Sequence, residues 1–277
     1  MTRIRRRTVL TALSAAAVAG PALLTVAPRP AVAVSDDLYQ TNSELYASPT
    51  LVEGVDYARR FRRHGALDDD LVGTAGFPTT AVLAPHGGGI EVGTSELCLG
   101  VAGYHPATLA PTQSAGAVYD YWMFEGLRAA NNGELHVTST GCDDPQAESL
   151  SGGARYAVSL HGCTAGQLGL PDGTPAVAVG GLDVALRTYL LQEYAALGIL
   201  ALDAATAPEL TALAGVHPRN IVNRTLSQAG AQLELSTPLR NAMFGTNTRA
   251  QRRHTTLPPF WSFVTATRAA LEHRSAG

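Results

Sequence analysis

Two histidines and two glutamates carry the chemistry that this sequence can be read for. His86 and Glu91 bracket a glycine run in His86-Gly-Gly-Gly-Ile-Glu91, directly after the apolar stretch Thr80–Ala84 and Pro85. Imidazole and carboxylate are zinc ligands, and a catalytic zinc keeps three protein ligands and one open position. Three successive glycines are costly in chain entropy unless the backbone needs unusual dihedrals or close approach. A tight turn whose His and Glu face solvent would show the same pattern. His161 closes a second apolar run, Tyr156–Leu160, and is the natural third ligand, with Cys163 a less usual one. A histidine in such a place can equally be a hydrogen-bonded structural residue. Glu234 lies in Ala231-Gln-Leu-Glu-Leu-Ser236, where alternation sets Gln232 and Glu234 on one face and two leucines on the other. If desolvated, that carboxyl has a raised pKa and suits proton shuttling; on an edge strand it would only face water.

Arginine is the one strong cation available to this chain. All 20 Lys+Arg positions are arginine. Phosphate binding by a P-loop lysine, Schiff-base chemistry and Ser-Lys dyads are therefore excluded. Asn223-Arg224 and Arg240 are the candidates for holding substrate carboxylates, which a planar guanidinium does with two parallel hydrogen bonds. Arg187 and Arg219 compete for that role, and Arg59, Arg60, Arg62 and Arg63 form a local cluster that reads either as a solvated face or as an anion rim. No G-x-S-x-G elbow is present, which disfavours a serine hydrolase. Nothing forces two carboxyls across a sugar cleft, which disfavours a glycosidase. A net charge of −3 argues against nucleic acid as a partner.

These side chains must be held by strands and helices that alternate. The apolar runs predict strands at 80–84, 118–124, 135–139, 156–160, 176–179 and 231–236. Helices are expected over 94–103, 182–197, from Pro208, and from Pro258 or Pro259 to about His273. Such alternation predicts a single α/β domain, a twisted mixed β-sheet flanked by helices, over residues 34–277. In open α/β sheets the loops past the carboxyl ends of strands hold the ligand, and His86 and His161 both lie just past expected strand ends.

Residues 1–33 read as an export signal. Arg3, Arg5, Arg6 and Arg7 precede the apolar Val9–Leu24, and Ala31-Val-Ala33 fits a small-x-small cleavage site. Arg6-Arg7 resembles a twin-arginine signal. Its removal takes away five arginines and no acid, moving the net charge from −3 to −8. This predicts a secreted protein with no stable membrane span after cleavage. In an oxidising compartment one disulfide between Cys142 and Cys163 is conceivable, with buried free thiols the alternative.

Several stretches, in this order, resemble the poly-gamma-glutamate hydrolase family, zinc enzymes related in fold to the metallocarboxypeptidases. They are Ala84-Pro-His-Gly-Gly-Gly-Ile-Glu-Val-Gly-Thr-Ser-Glu96, Tyr121-Trp-Met-Phe-Glu-Gly126, Leu135-His-Val-Thr-Ser-Thr140, Val158-Ser-Leu-His-Gly-Cys163, Gly180-Gly-Leu-Asp183, Pro218-Arg-Asn-Ile-Val-Asn-Arg224 and Gln232-Leu-Glu-Leu-Ser236. The resemblance implies a zinc exopeptidase-like fold. It implies Zn²⁺ on His86, Glu91 and His161, with Glu96 a minor alternative ligand, and Glu234 as the catalytic glutamate. It further implies an Asn223-Arg224 substrate clamp. The expected reaction is hydrolysis of γ-glutamyl amide bonds in anionic poly-γ-glutamate or a γ-glutamyl peptide, with Arg224 helping to stabilise the oxyanion and Arg224 or Arg240 binding carboxylates. A cell-wall peptide or N-acyl amino acid is the alternative substrate, and a non-catalytic binding protein the alternative class.

Overall fold

Alternating apolar residues build both faces of one sheet. In the computed structural model, which describes residues 37–64, 79–112 and 118–276, the strands are β1 (Tyr57–Arg62), β2 (Thr80–Gly88), β3 (Asp120–Gly126), β4 (Tyr156–Cys163), β5 (Val177–Gly181), β6 (Ala201–Asp203) and β7 (Ala231–Ser236). The helices are α1 (Asn42–Tyr46), α2 (Thr94–Ala102), α3 (Pro145–Gly153), α4 (Val184–Ala196), α5 (Thr237–Asn241) and α6 (Pro258–Ala276). The strands form one mixed sheet in the order β1-β3-β2-β4-β7-β5-β6. Its centre, β3-β2-β4-β7, is parallel, while β1 on β3 and β5 on β7 are antiparallel.

Val82 and Ala84 of β2, Val158 and Leu160 of β4, and Leu233 and Leu235 of β7 face α2, α4 and α6, packing on Leu97, Tyr194, Phe260 and Phe263. Ala81, Leu83 and Ala157 face the other way, with Trp122, Phe124, Leu150 and Ile221. Buried on both sides, the central strands read as near-continuous apolar runs. The mixed, helix-flanked α/β sheet expected from the sequence is the fold observed.

Some elements differ from expectation. Residues 135–139 do not join the sheet. A 3₁₀ turn runs from Asn132 to Leu135, and the chain after it gives its backbone groups to side chains: Thr138 N donates to Asp37 Oδ2 (2.7 Å), and Val137 O accepts from His86 Nε2 (2.8 Å). The helix expected from Pro208 is a 3₁₀ turn ending at Leu213. Of the arginine cluster, Arg59, Arg60 and Arg62 fall on edge strand β1 and Arg63 just past its end. The three cysteines are free and buried, and the Cys142–Cys163 disulfide does not form. Cys142 packs in the cluster beneath α3, while Cys163 packs with Leu168 and Leu210 in a separate one. The expected export segment lies outside the described residues. Among the described residues no helix is long and apolar enough to cross a membrane.

Candidate active site

One extra residue in β2 decides where His86 points. Side chains on a strand alternate in facing, so His86 would share the α2 face with Val82 and Ala84. The register of β2 on β3 shifts between Ala84 and Gly87, pairing Ala84 with Met123 but Gly87 with Glu125. This bulge, with Pro85 inside it, reverses the facing beyond it. Gly87 now faces α2, where a Cβ would come within 2.3 Å of Ser95 Oγ. His86 turns to the opposite face and meets His161 and Glu234, which are direct neighbours in the β4–β7 register. Sequence reading ends the strand before His86, whereas the structure carries β2 through Gly88.

A tight turn returns Glu91 to the same point. Glu91 N donates to His86 O (2.8 Å), and Ile90 N to Gly87 O (3.2 Å). Glu91 Oε1 lies 3.0 Å from His86 Nδ1, and its Oε2 accepts from Gly162 N (2.8 Å) and stands 3.7 Å from His161 Nδ1. The two Nδ1 atoms are 3.1 Å apart. Three ligands at zinc–ligand distances in tetrahedral geometry stand roughly 3.3 Å from one another. The donor set and its spacing therefore fit Zn²⁺. Val137 O can only accept, so His86 Nε2 donates to it. In the neutral ring this leaves the Nδ1 lone pair pointing at the cluster, the usual outer-shell arrangement of a ligating histidine. His161 Nε2 lies 3.4 Å from Ser139 Oγ.

His136 is the residue that sequence reasoning missed. Its ring lies tilted against that of His86 with centroids 3.9 Å apart, and its Nδ1 lies 2.6 Å from Asp37 Oδ1. Ligand atoms of His86, Glu91 and His136 all fall within 4.8 Å of one another, so His136 could ligate in place of, or beside, His161. In the trio with His161 the nearest donor pairs stand 3.0, 3.1 and 3.7 Å apart. His136 was legible only as part of a family-like stretch, and an expected strand there hid its role.

Burial and mutual charge set the protonation of the cluster. Burial opposes charge on Glu91, but the flanking His86, His161 and His136 outweigh it and bring its pKa down to about 2. Burial also opposes charge on His86, and there Glu91 prevails and raises the pKa. His161 is dominated by burial and falls to about 3, so its imidazole is neutral at neutral pH. Glu234 goes the other way. Burial, and then the nearby Glu91 charge, push it well above the usual carboxylate range. Its Oε1 accepts from Gln232 Nε2 (3.0 Å), and Gln232 Oε1 accepts from Asn220 Nδ2 (2.7 Å).

These groups line a cavity of about 310 Å³, completed by Thr138, Ser139, Gln167, Thr211 and His217. The expected clamp is not in it. Arg224 is turned outward to Glu148 of α3 (2.6 Å) and to Cys142 O just before that helix (3.0 Å). Asn223 Nδ2 donates to Gly215 O and His217 O, and its Oδ1 accepts from Leu182 N and Gly230 N. It shapes the cavity wall from behind. Arg240 is buried under Gly162 and donates to Leu235 O, Val92 O and Cys163 O, tying the ends of β4 and β7 to the β2–α2 loop. Arg187 is engaged by Gly181 O (2.7 Å). Glu96, the alternative ligand, is paired instead with Arg252 at 3.2 Å.

The sequence profile of the poly-gamma-glutamate hydrolase family matches residues 74–266. The SPbeta prophage-derived protein YoqZ of Bacillus subtilis is 34% identical over 187 residues, which is 66% of this chain and 58% of YoqZ. The chain thus spans about three fifths of the length of that curated relative. A bacteriophage poly-gamma-glutamate hydrolase structure superposes with a TM-score of 0.68 and 29% identity, covering 87% of this chain and 99% of that one. The zinc-free structure of YndL gives 0.67 and 30%, covering 86% and 99%.

Proposed function

The chain belongs to the poly-gamma-glutamate hydrolase family, and on that premise we propose that it is a zinc-dependent amidohydrolase cleaving γ-glutamyl bonds in poly-γ-glutamate. The carrying observation is the buried Glu234 placed in register beside His161 at the metal-ligand cluster. Two solved structures support the reading, one of a phage enzyme hydrolysing that polymer and one of YndL in a zinc-free state.

When bound, zinc supplies Lewis acidity, polarising a carbonyl oxygen and acidifying water. His86, Glu91 and His161 would hold it. Glu234 then does the proton work. Its raised affinity for a proton suits it to take one from the attacking water and hand it to the leaving amine nitrogen. The Asn220–Gln232 pair fixes the Glu234 carboxyl at one oxygen and leaves the other for that transfer. With no arginine in the cavity lining, the neutral donors Ser139 and Asn220 are the protein groups that would face the oxyanion. We also propose that residues 1–33 direct export by the twin-arginine route, on their tripartite pattern.

The test is the chain length of poly-γ-glutamate after incubation with the purified protein, with and without a chelator. Chelator-sensitive shortening is expected, and product sizes give endo or exo action. An intact polymer after incubation with zinc-loaded protein would move the substrate to another amide.

A further inference from the structure

A second cavity, of about 520 Å³, opens at the same carboxyl edge of the sheet. The metal-ligand cluster sits at the ends of β2, β4 and β7. This cavity lies on the α2 face, at the ends of β2 and β3 and beside β1. Four guanidinium groups converge on it: Arg60 from β1, and Arg249, Arg252 and Arg253 from the segment between α5 and α6. Two carboxylates answer them. Glu125 is 2.6 Å from Arg60 Nε, and Glu96 is 3.2 Å from Arg252 Nη1. Arg252 is buried, held also by Asn247 Oδ1 (2.7 Å), and forms the floor. Arg249 and Arg253 are exposed at the rim, donating to Leu127 O and to His254 Nε2 respectively.

Four cations against two anions is an excess in a chain whose net charge is −3. It is also the reverse of the metal cavity, which no arginine lines. The two cavities flank the tip of β2. Gly88 lines one and His86 the other, and two residues of strand advance the chain by about 7 Å.

We propose that the arginine cavity is an accessory subsite for the carboxylates of a polyanionic chain, holding residues away from the bond being cleaved. This rests on the reading of the substrate as poly-γ-glutamate. A γ-linked chain displays a free α-carboxylate at every residue, and a guanidinium fork meets a carboxylate with two charge-assisted hydrogen bonds. Exposed rim arginines also gather an anionic polymer by a field that salt screens.

The test compares R249A/R253A with R62A/R155A, which removes the same charge from exposed positions at the opposite edge of the sheet. Kinetics are measured on long poly-γ-glutamate and on a γ-glutamyl dipeptide too short to reach both cavities. Expected for R249A/R253A are a KM for polymer raised about tenfold, as loss of charge-assisted hydrogen bonds implies, an unchanged kcat, a flatter dependence of KM on salt, and dipeptide kinetics like the wild type. Polymer kinetics equal to those of R62A/R155A would overturn the subsite while leaving the hydrolase reading intact. An intact polymer with the wild-type enzyme would overturn both. Polymer binding to E234Q, with and without R249A/R253A, gives a second readout that does not need turnover, and equal affinity there would also overturn the subsite.

Discussion

The two cavities at the carboxyl edge each hold a glutamate, Glu91 partly buried and Glu96 buried, only five residues apart in sequence, and the two carboxylates live in opposite electrostatic settings. Glu91 faces imidazoles and is held far below the usual carboxylate range. Glu96 faces Arg252, yet burial outweighs that charge and its pKa is raised. The partners differ in kind. An imidazole can be neutral and offer a lone pair, so His86 and His161 can turn from Glu91 to a metal ion. A guanidinium is always protonated and has no lone pair to offer. The Glu96–Arg252 pair can therefore only hold structure or meet an anion. What separates the proposed metal centre from the proposed anion subsite is the identity of the cation beside each glutamate, together with the bulge that aims β2 to either side.

The sharpest break of that contrast is His161→Ala. It should lose zinc and abolish hydrolysis, whereas E96Q should keep full zinc content; metal analysis of the purified variants decides. A zinc-free E96Q would make the two glutamates equivalent and end the distinction. Next in size is E234Q, which should retain zinc and lose about 10²–10⁴-fold in kcat, the range for a general acid–base group. Turnover near wild type would remove Glu234 from the proton pathway. A smaller effect, about tenfold in kcat at unchanged KM, is expected for Q232L, because Glu234 would lose its only side-chain anchor among the described residues. A rise in KM alone would instead place Gln232 in substrate binding.

Gly87→Ala probes the bulge itself. A Cβ there meets Ser95 Oγ at 2.3 Å and Phe124 O at 2.9 Å, so a loss of about 1–3 kcal/mol is expected for overpacking, read as a lower Tm together with weaker zinc binding. Unchanged zinc affinity would show that the bulge tolerates a side chain.

The smallest expected signal is in the pH dependence of the metal-free protein. His161 has a folded pKa of about 3, below its unfolded 6.5, so its contribution is present above pH 6.5 and is lost as pH falls toward 3. Glu91, depressed to about 2 from 4.5, contributes above 4.5 and loses that as pH falls toward 2. Glu96 has a raised pKa, so its contribution is present below 4.5 and lost as pH rises through its folded value. Acid unfolding should therefore trace to the metal cavity. Denaturant melts of metal-free wild type and H161Q from pH 7 to 4 should show the flatter profile in H161Q.

Parts of this were legible in the sequence because the signal was local. The alternation in 231–236 set Glu234 opposite two leucines, and the strand-and-glycine pattern singled out His86, Glu91 and His161. The arginine roles were not legible. Each of Asn223, Arg224 and Arg240 finds partners far along the chain, at Leu182, Glu148 and Val92 among others, and a fork that suits a substrate carboxylate suits a glutamate or a row of carbonyls equally well. His136 escaped for a related reason. An apolar–polar alternation over 135–139 has the period of a strand, but backbone bonds of this segment go to the side chains of Asp37 and His86 instead.

The sequence by itself determined the α/β class, the family and the donor types available for a metal, because hydrophobic periodicity and short motifs depend on near neighbours. Only the tertiary structure decided which face His86 presents, which arginines are already engaged, and that four others gather in a separate cavity. Those outcomes depend on register and on contacts between residues far apart in the chain. A single inserted residue in a strand reverses every side chain beyond it, and composition leaves no trace of that.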